Sequence, residues 1–203
     1  MMVEPPESLR KTKASQREAT IRLLIEIGRE LFAANGYAQT STEEIVQRAG
    51  VTRGALYHHF GSKEGLFLAV LDDVLGDVAR DVARSATSET SGWEQLRAGC
   101  HTFLREAANP AITRIALIDA PAVLDWEQWR ELDERHSQSL LRAGLAELYA
   151  DGTIAVSPDT ATPLLSGAMN EAALWIARAP DRETALAEAI RAFDRLLSGL
   201  RPM

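Results

Sequence analysis

The stretch Ala49-Gly50-Val51-Thr52-Arg53-Gly54-Ala55-Leu56-Tyr57-His58-His59-Phe60-Gly61-Ser62-Lys63-Glu64 decides how the rest of the chain reads. Gly50 permits the positive φ that a sharp turn requires, Val51 can plug the core beside it, and Thr52 can cap a short helix. That helix is small or polar on one face (Arg53, Gly54, Ala55, Tyr57, His58) and apolar on the other (Leu56, Phe60). Just upstream, Ser41 followed by Glu44 has the spacing of a capping box and opens a short helix carrying Ile45, Val46 and Ala49. Further back, Ser15 with Glu18 predicts the start of a helix. Leu24, Ile25, Gly28, Leu31 and Phe32 share one of its faces, and Asn35-Gly36 ends it. Three helices within residues 15–60, the last two joined by a tight glycine turn, form the helix-turn-helix pattern.

Downstream the helical period continues, with no sustained two-residue alternation of apolar and polar residues. Gly61-Ser62 leads into a helix from Lys63 to about Arg84, and a Ser/Thr-rich loop fills residues 85–92. Helices follow at Trp93–Ala108, at Ile112–Ile118, from Asp125 to about Asp151, after Ser157-Pro158, and from Pro180-Asp181 to Leu200. The expected fold is all-α with about nine helices: a flexible basic arm (1–14), a helix-turn-helix DNA-binding domain (15–65) and a larger ligand-binding and dimerisation domain (66–203). The net charge of −7 is unevenly spread. Residues 1–63 hold nine Lys/Arg against seven Asp/Glu, and the remainder thirteen against twenty-two. This asymmetry suits a small DNA-facing end on an acidic body. The arm residues Arg10, Lys11, Lys13 and Arg17 can reach a minor groove or remain a solvated tail.

The segment Thr40-Ser41-Thr42-Glu43-Glu44-Ile45-Val46, with Val51 to Glu64, strongly resembles the TetR (tetracycline-repressor-like) family. The order T-x-x-x-L-Y-x-H-F-x-x-K-E carries the likeness, supported by Leu31-Phe32-Ala33 and Gly36-Tyr37. It covers residues 17–68. One departure is Gly65, where the family usually has an acidic residue or its amide. The resemblance implies a homodimeric regulator on a pseudo-palindromic operator, released by a small, largely apolar effector. Repression is the family's usual mode; activation, or ligand-independent binding on the same fold, is the alternative.

The candidate DNA contacts are Thr42, Thr52, Arg53, Gly54, Ala55, Tyr57, His58 and Lys63. Arg53 can read guanine or clamp phosphate, and the Ala55 methyl can sit against a thymine methyl. Thr42 and Lys63, at helix starts, are placed for phosphate, while His59 reads as a packing residue. The family places its effector in the middle of the chain, where the candidates are His101, Phe103, Leu104, Trp126, Trp129 and Asn170. Each of the aromatics reads equally well as core. The last two helices carry 3–4 spaced apolar stripes, and the resemblance turns these into a four-helix bundle across the dimer axis. Leu165, Met169, Trp175, Leu186, Ile190, Phe193 and Leu197 are the expected contacts.

Other classes fit poorly. No nucleophile-base grouping, phosphate loop or H-E-x-x-H motif appears, so neither catalysis nor a cofactor is expected. His58 and His59 diverge by about 100° on a helix and have no third ligand at metal spacing, so no metal is expected. The single Cys100, the lack of a signal-like N-terminus and the absence of a long apolar run predict a cytoplasmic protein with no membrane partner. A purely structural helical protein would leave the polar face of residues 53–58 without purpose.

Overall fold

A computed structural model describes residues 7–202, apart from the side chains of residues 7–12 and of Trp126. It is helical throughout, with no strand among the described residues. The elements are α1 (Glu7–Asn35), α2 (Thr42–Ala49), α3 (Arg53–Phe60), α4 (Lys63–Thr87) and α5 (Gly92–Ala107). They continue as α6 (residues 110–123), α7 (residues 126–150), α8 (Pro158–Arg178) and α9 (Arg182–Ser198). Two of these change pitch: α6 is π-helical over Thr113–Asp119 and α7 over Glu134–Gln138. Such widened turns are often found at functional sites.

The chain divides into two compact units, one ending at Leu71 and one starting at Asp72. In the first, Leu24, Phe32, Ile45, Leu56, Leu66, Phe67 and Val70 are fully buried. Phe32, Tyr37 and Phe67 form a ring cluster with centroids 5.0–5.7 Å apart. Local capping sets the helix ends. Ser41 Oγ accepts from the Glu44 N–H (3.1 Å), Gly50 takes φ 63°, and Thr52 Oγ1 accepts from the Ala55 N–H (3.2 Å).

One predicted boundary moves. The Ser15/Glu18 signal is not a start, because α1 already begins at Glu7; nothing between Ser8 and Ala14 breaks a helix, and the cap-like residue is overridden by its flanks. Arg10 and Lys11 lie outside the described side chains.

In the second unit the helix ends also follow local caps, with Asp125 Oδ1 accepting from Gln128 N–H (2.8 Å) and Asp181 Oδ1 from Thr184 N–H (3.1 Å). Its core includes Leu104, Ile115, Leu145, Ile154, Ile176, Phe193 and Leu197.

Candidate nucleic-acid interface and interior cavity

Helix α3 presents a continuous exposed face. Arg53, Gly54, Tyr57 and His58 are exposed, Ala55 is half-buried, and Leu56 alone turns fully inward. A side chain at Gly54 would meet only the Thr52 hydroxyl, at 3.8 Å. The glycine is therefore not demanded by packing, and it leaves the face open to close approach. The Arg53 guanidinium donates to Glu43 Oε1 (2.7 Å) and to the Tyr57 hydroxyl (3.2 Å), and lies 5.3 Å from the Tyr57 ring centre. Its hydrogen bond holds the Tyr57 phenol below its ordinary pKa. Thr42 donates to the other Glu43 oxygen (3.1 Å). Thr42, Glu43, Arg53 and Tyr57 thus form one linked cluster between α2 and α3.

Three sequence-predicted contacts turn out to be engaged within the protein. Thr42 is 9% exposed, with its hydroxyl held by Glu43. The Thr52 hydroxyl is occupied as the α3 cap. Lys63 Nζ donates to the Tyr37 carbonyl at 2.5 Å and sits 4.1 Å from the Tyr37 ring centre. That charge ties the start of α4 to the turn after α1. His59 is half-buried with its Nδ1 lacking a hydrogen-bond partner; burial, then His58 and Arg17, hold its pKa down, so it is a neutral packing residue.

Gly65 also has a steric reason. An added Cβ there would fall well inside contact distance of the Phe60 carbonyl oxygen. Ser62 Oγ supplies the N-terminal cap by accepting from the Gly65 N–H at 2.9 Å.

The second unit encloses a cavity of about 200 Å³ walled by α4, α5, α7 and α8. Its apolar lining includes Val82, Leu96, Phe103, Leu141 and Met169, and its polar atoms come from Gln95, Ser137, Glu147 and Ser166. Ser137 Oγ is buried without a partner. Cys100 also lines it, and burial, followed by the charge of Asp194, pushes its thiol up to about 12. A second space of about 20 Å³ is bordered by Phe103, Trp129, Asp133 and Asn170.

The predicted effector residues separate on this geometry. Phe103 borders both spaces, and Trp129 and Asn170 border the small one. Leu104 is fully buried core. His101 is a strut between α5 and α9, 2.7 Å from Asp194, which Arg97 also grips at 3.0–3.1 Å. The Trp126 side chain is outside the described residues. Ser137, Ser166 and Asp133 were not singled out from the sequence, and Met169, which lines the cavity, was assigned to the dimer contact. Gly99 and Gly144, both inside helices and both lining the cavity, were the available signal, since mid-helix glycine costs about 1 kcal/mol against alanine.

The expected dimer contacts divide too. Leu165, Met169, Phe193 and Leu197 are 0–6% exposed and belong to the protomer's own core. Leu186 and Ile190 are half-buried. Trp175 stands out at 48%, together with Leu164 (68%) and Leu196 (55%), which lie in the same stripes but were not among the expected contacts.

Among the described residues no group of His, Cys, Asp or Glu is arranged to hold a metal ion, and no helix is long and apolar enough to cross a membrane.

Comparison with known proteins gives consistent likenesses. Residues 24–70 match the family described as bacterial regulatory proteins, tetR family, and residues 93–200 match the tetracyclin repressor-like C-terminal domain. A crystal structure of a TetR-family transcriptional regulator from Pectobacterium atrosepticum aligns with TM-score 0.77 and 33% identity, over 93% of this chain and 97% of that one. The transposon Tn10 TetC protein of Escherichia coli is 25% identical over 151 residues, 74% of this chain and 76% of its own length. The HTH-type transcriptional regulator QacR of Staphylococcus aureus is 45% identical over 49 residues, only 24% of this chain and 26% of its own.

Proposed function

The chain belongs to the TetR family of bacterial regulatory proteins, and from that premise we propose that it is a cytoplasmic, homodimeric repressor released from its operator by a small molecule. The observation that carries the DNA half of this reading is the exposed α3 face, where Arg53, Tyr57 and His58 surround the bare backbone at Gly54. Arg53 offers a fork for guanine or phosphate, Tyr57 and His58 offer donors, and Ala55 an apolar contact. Leu164, Trp175 and Leu196 supply an exposed apolar face for the two-fold contact, and two copies then present two α3 helices to a pseudo-palindrome. The effector site is the cavity of the second unit. Helix α4 is the connecting element: Leu66, Phe67 and Val70 are buried near its start, and Val82, Ala83 and Ala86 line the cavity near its end. An effector that prefers one position of α4 must weaken DNA binding by the same factor that DNA weakens effector binding.

The test is selection of bound fragments from random DNA by the full chain, followed by titration at rising salt. A two-fold symmetric consensus whose affinity falls steeply with salt supports the reading. Recovery of no sequence above background refutes it, and an effector that binds yet leaves operator affinity untouched refutes the coupling.

A further inference from the structure

The two spaces of the second unit share a wall and an unbalanced charge. Phe103 borders both. Ser166 lines the larger one and helps to hold down the pKa of Asp133, which borders the smaller. Asp133 is 7% exposed, and its close partner is a neutral amide, Gln138 Nε2, at 2.7 Å. Arg130 on the same helix adds attraction at Asp133 and also bridges Glu134 at 3.5 Å. The acids Asp133 and Glu147 lie on the walls, and no Lys, Arg or His is among the described residues lining either space.

A carboxylate taken out of water, with a neutral amide as its close hydrogen-bond partner and Arg130 shared with Glu134, has lost solvation that a cation restores most fully. An anionic ligand would add like charge, and a neutral one would leave the deficit standing. The smaller space, about 20 Å³, exceeds the roughly 10–15 Å³ that one water-sized group needs, so it admits an ammonium head but not a ring. The larger space takes the apolar remainder. Ser137 Oγ, buried and unpartnered on its wall, can accept from an N–H.

We propose that the effector is a small apolar amine bound in its protonated form, its body between Leu96, Phe103, Leu141 and Met169 and its ammonium directed past Phe103 to Asp133. This rests on reading the cavity as the effector site. The amine's positive charge is the specificity element, and the apolar walls supply affinity without selecting among shapes of similar size.

Three size-matched probes test it on the full-length protein by calorimetric titration: 4-phenylbutylammonium, 4-phenylbutan-1-ol and 4-phenylbutyrate. The expected result is that the ammonium binds at least tenfold more tightly than the alcohol, and the carboxylate most weakly of all. In Asp133→Asn, which keeps size and a carbonyl for Gln138, the ammonium falls to the level of the alcohol while the alcohol is unchanged. Equal or tighter binding of the alcohol or the carboxylate, or no binding by any of the three, overturns the proposal. So does an Asn variant that keeps the preference. The wild-type comparison decides even if the variant does not fold. Operator binding by the ligand-free protein, measured in the same buffer, tests the DNA reading separately.

Discussion

Glu43 is the acid that pairs with Arg53 of the exposed α3 face, and replacing it with glutamine tests what the Thr42–Glu43–Arg53–Tyr57 cluster does. Both partners of the 2.7 Å pair are well exposed, with 60% and 64% of their side chains open to water. Such a pair contributes only about 0–1 kcal/mol to stability, so Glu43→Gln should unfold at the wild-type temperature. Its effect on DNA should be larger than its effect on folding. While Glu43 holds the guanidinium, Arg53 cannot fully neutralise a phosphate; freeing it adds close to one effective contact, steepening the dependence of log affinity on log salt by about 0.9. Between 50 and 200 mM salt that steeper slope amounts to about a threefold further change in affinity for random-sequence DNA. Operator affinity should gain less, because there Arg53 acts through a fixed position that Glu43 and Tyr57 define, and the specificity ratio should drop. Fluorescence anisotropy with operator and scrambled duplexes at four salt concentrations reads both quantities. An unchanged slope on scrambled DNA, or equal tightening on both duplexes, refutes the assignment of Glu43 as a restraint on non-specific binding.

Gly65→Ala drives a Cβ against the Phe60 carbonyl oxygen; overpacking against backbone costs roughly 1–3 kcal/mol, a fall in melting temperature of about 2–12 °C at this chain length by calorimetry. Gly54→Ala meets open space within α3 and should leave the melting temperature equal or slightly raised while weakening operator binding at least severalfold in the same anisotropy assay. Leu164→Glu, at a residue 68% exposed, should convert a dimer into a folded monomer by sedimentation, whereas Leu197→Glu, at a fully buried residue, should abolish the folding transition. Burial pushes the Asp133 carboxyl above its ordinary value of 3.8, against the hydrogen bond from Gln138. Its contribution to stability is therefore present in full below that ordinary value and is lost as pH rises through the folded-state value. Asp133→Asn should accordingly melt higher than wild type at pH 7 and lose that advantage by about pH 3.8; an advantage independent of pH would show that the carboxylate's charge is not what burial penalises.

What the sequence disclosed followed the range of the forces involved. The helix-turn-helix was legible because its determinants act within a few residues: Ser41 on the Glu44 N–H, Gly50 in the left-handed region, and Thr52 on the Ala55 N–H. The same logic misplaced the start of α1, since Ser15 has the form of a cap but the residues before it sustain the helix to Glu7. Stripes on α8 and α9 showed which residues share a face but not which face is inward. Leu164 and Leu165 are neighbours, yet one is 68% exposed and the other 6%. His101 was assigned to the cavity because its partner Asp194, on α9, lies 93 positions away, beyond any local pattern. Pairing within the protein also narrowed the candidate DNA contacts. Lys63 is turned to Tyr37 and Thr42 to Glu43, so Arg53 is the one sequence-predicted contact that brings a full positive charge to the exposed α3 face, and it is shared with an acid. On the proposed reading, a face so sparing of charge has little non-specific attraction for DNA, and its discrimination would come from where Arg53, Tyr57 and the open backbone at Gly54 are held.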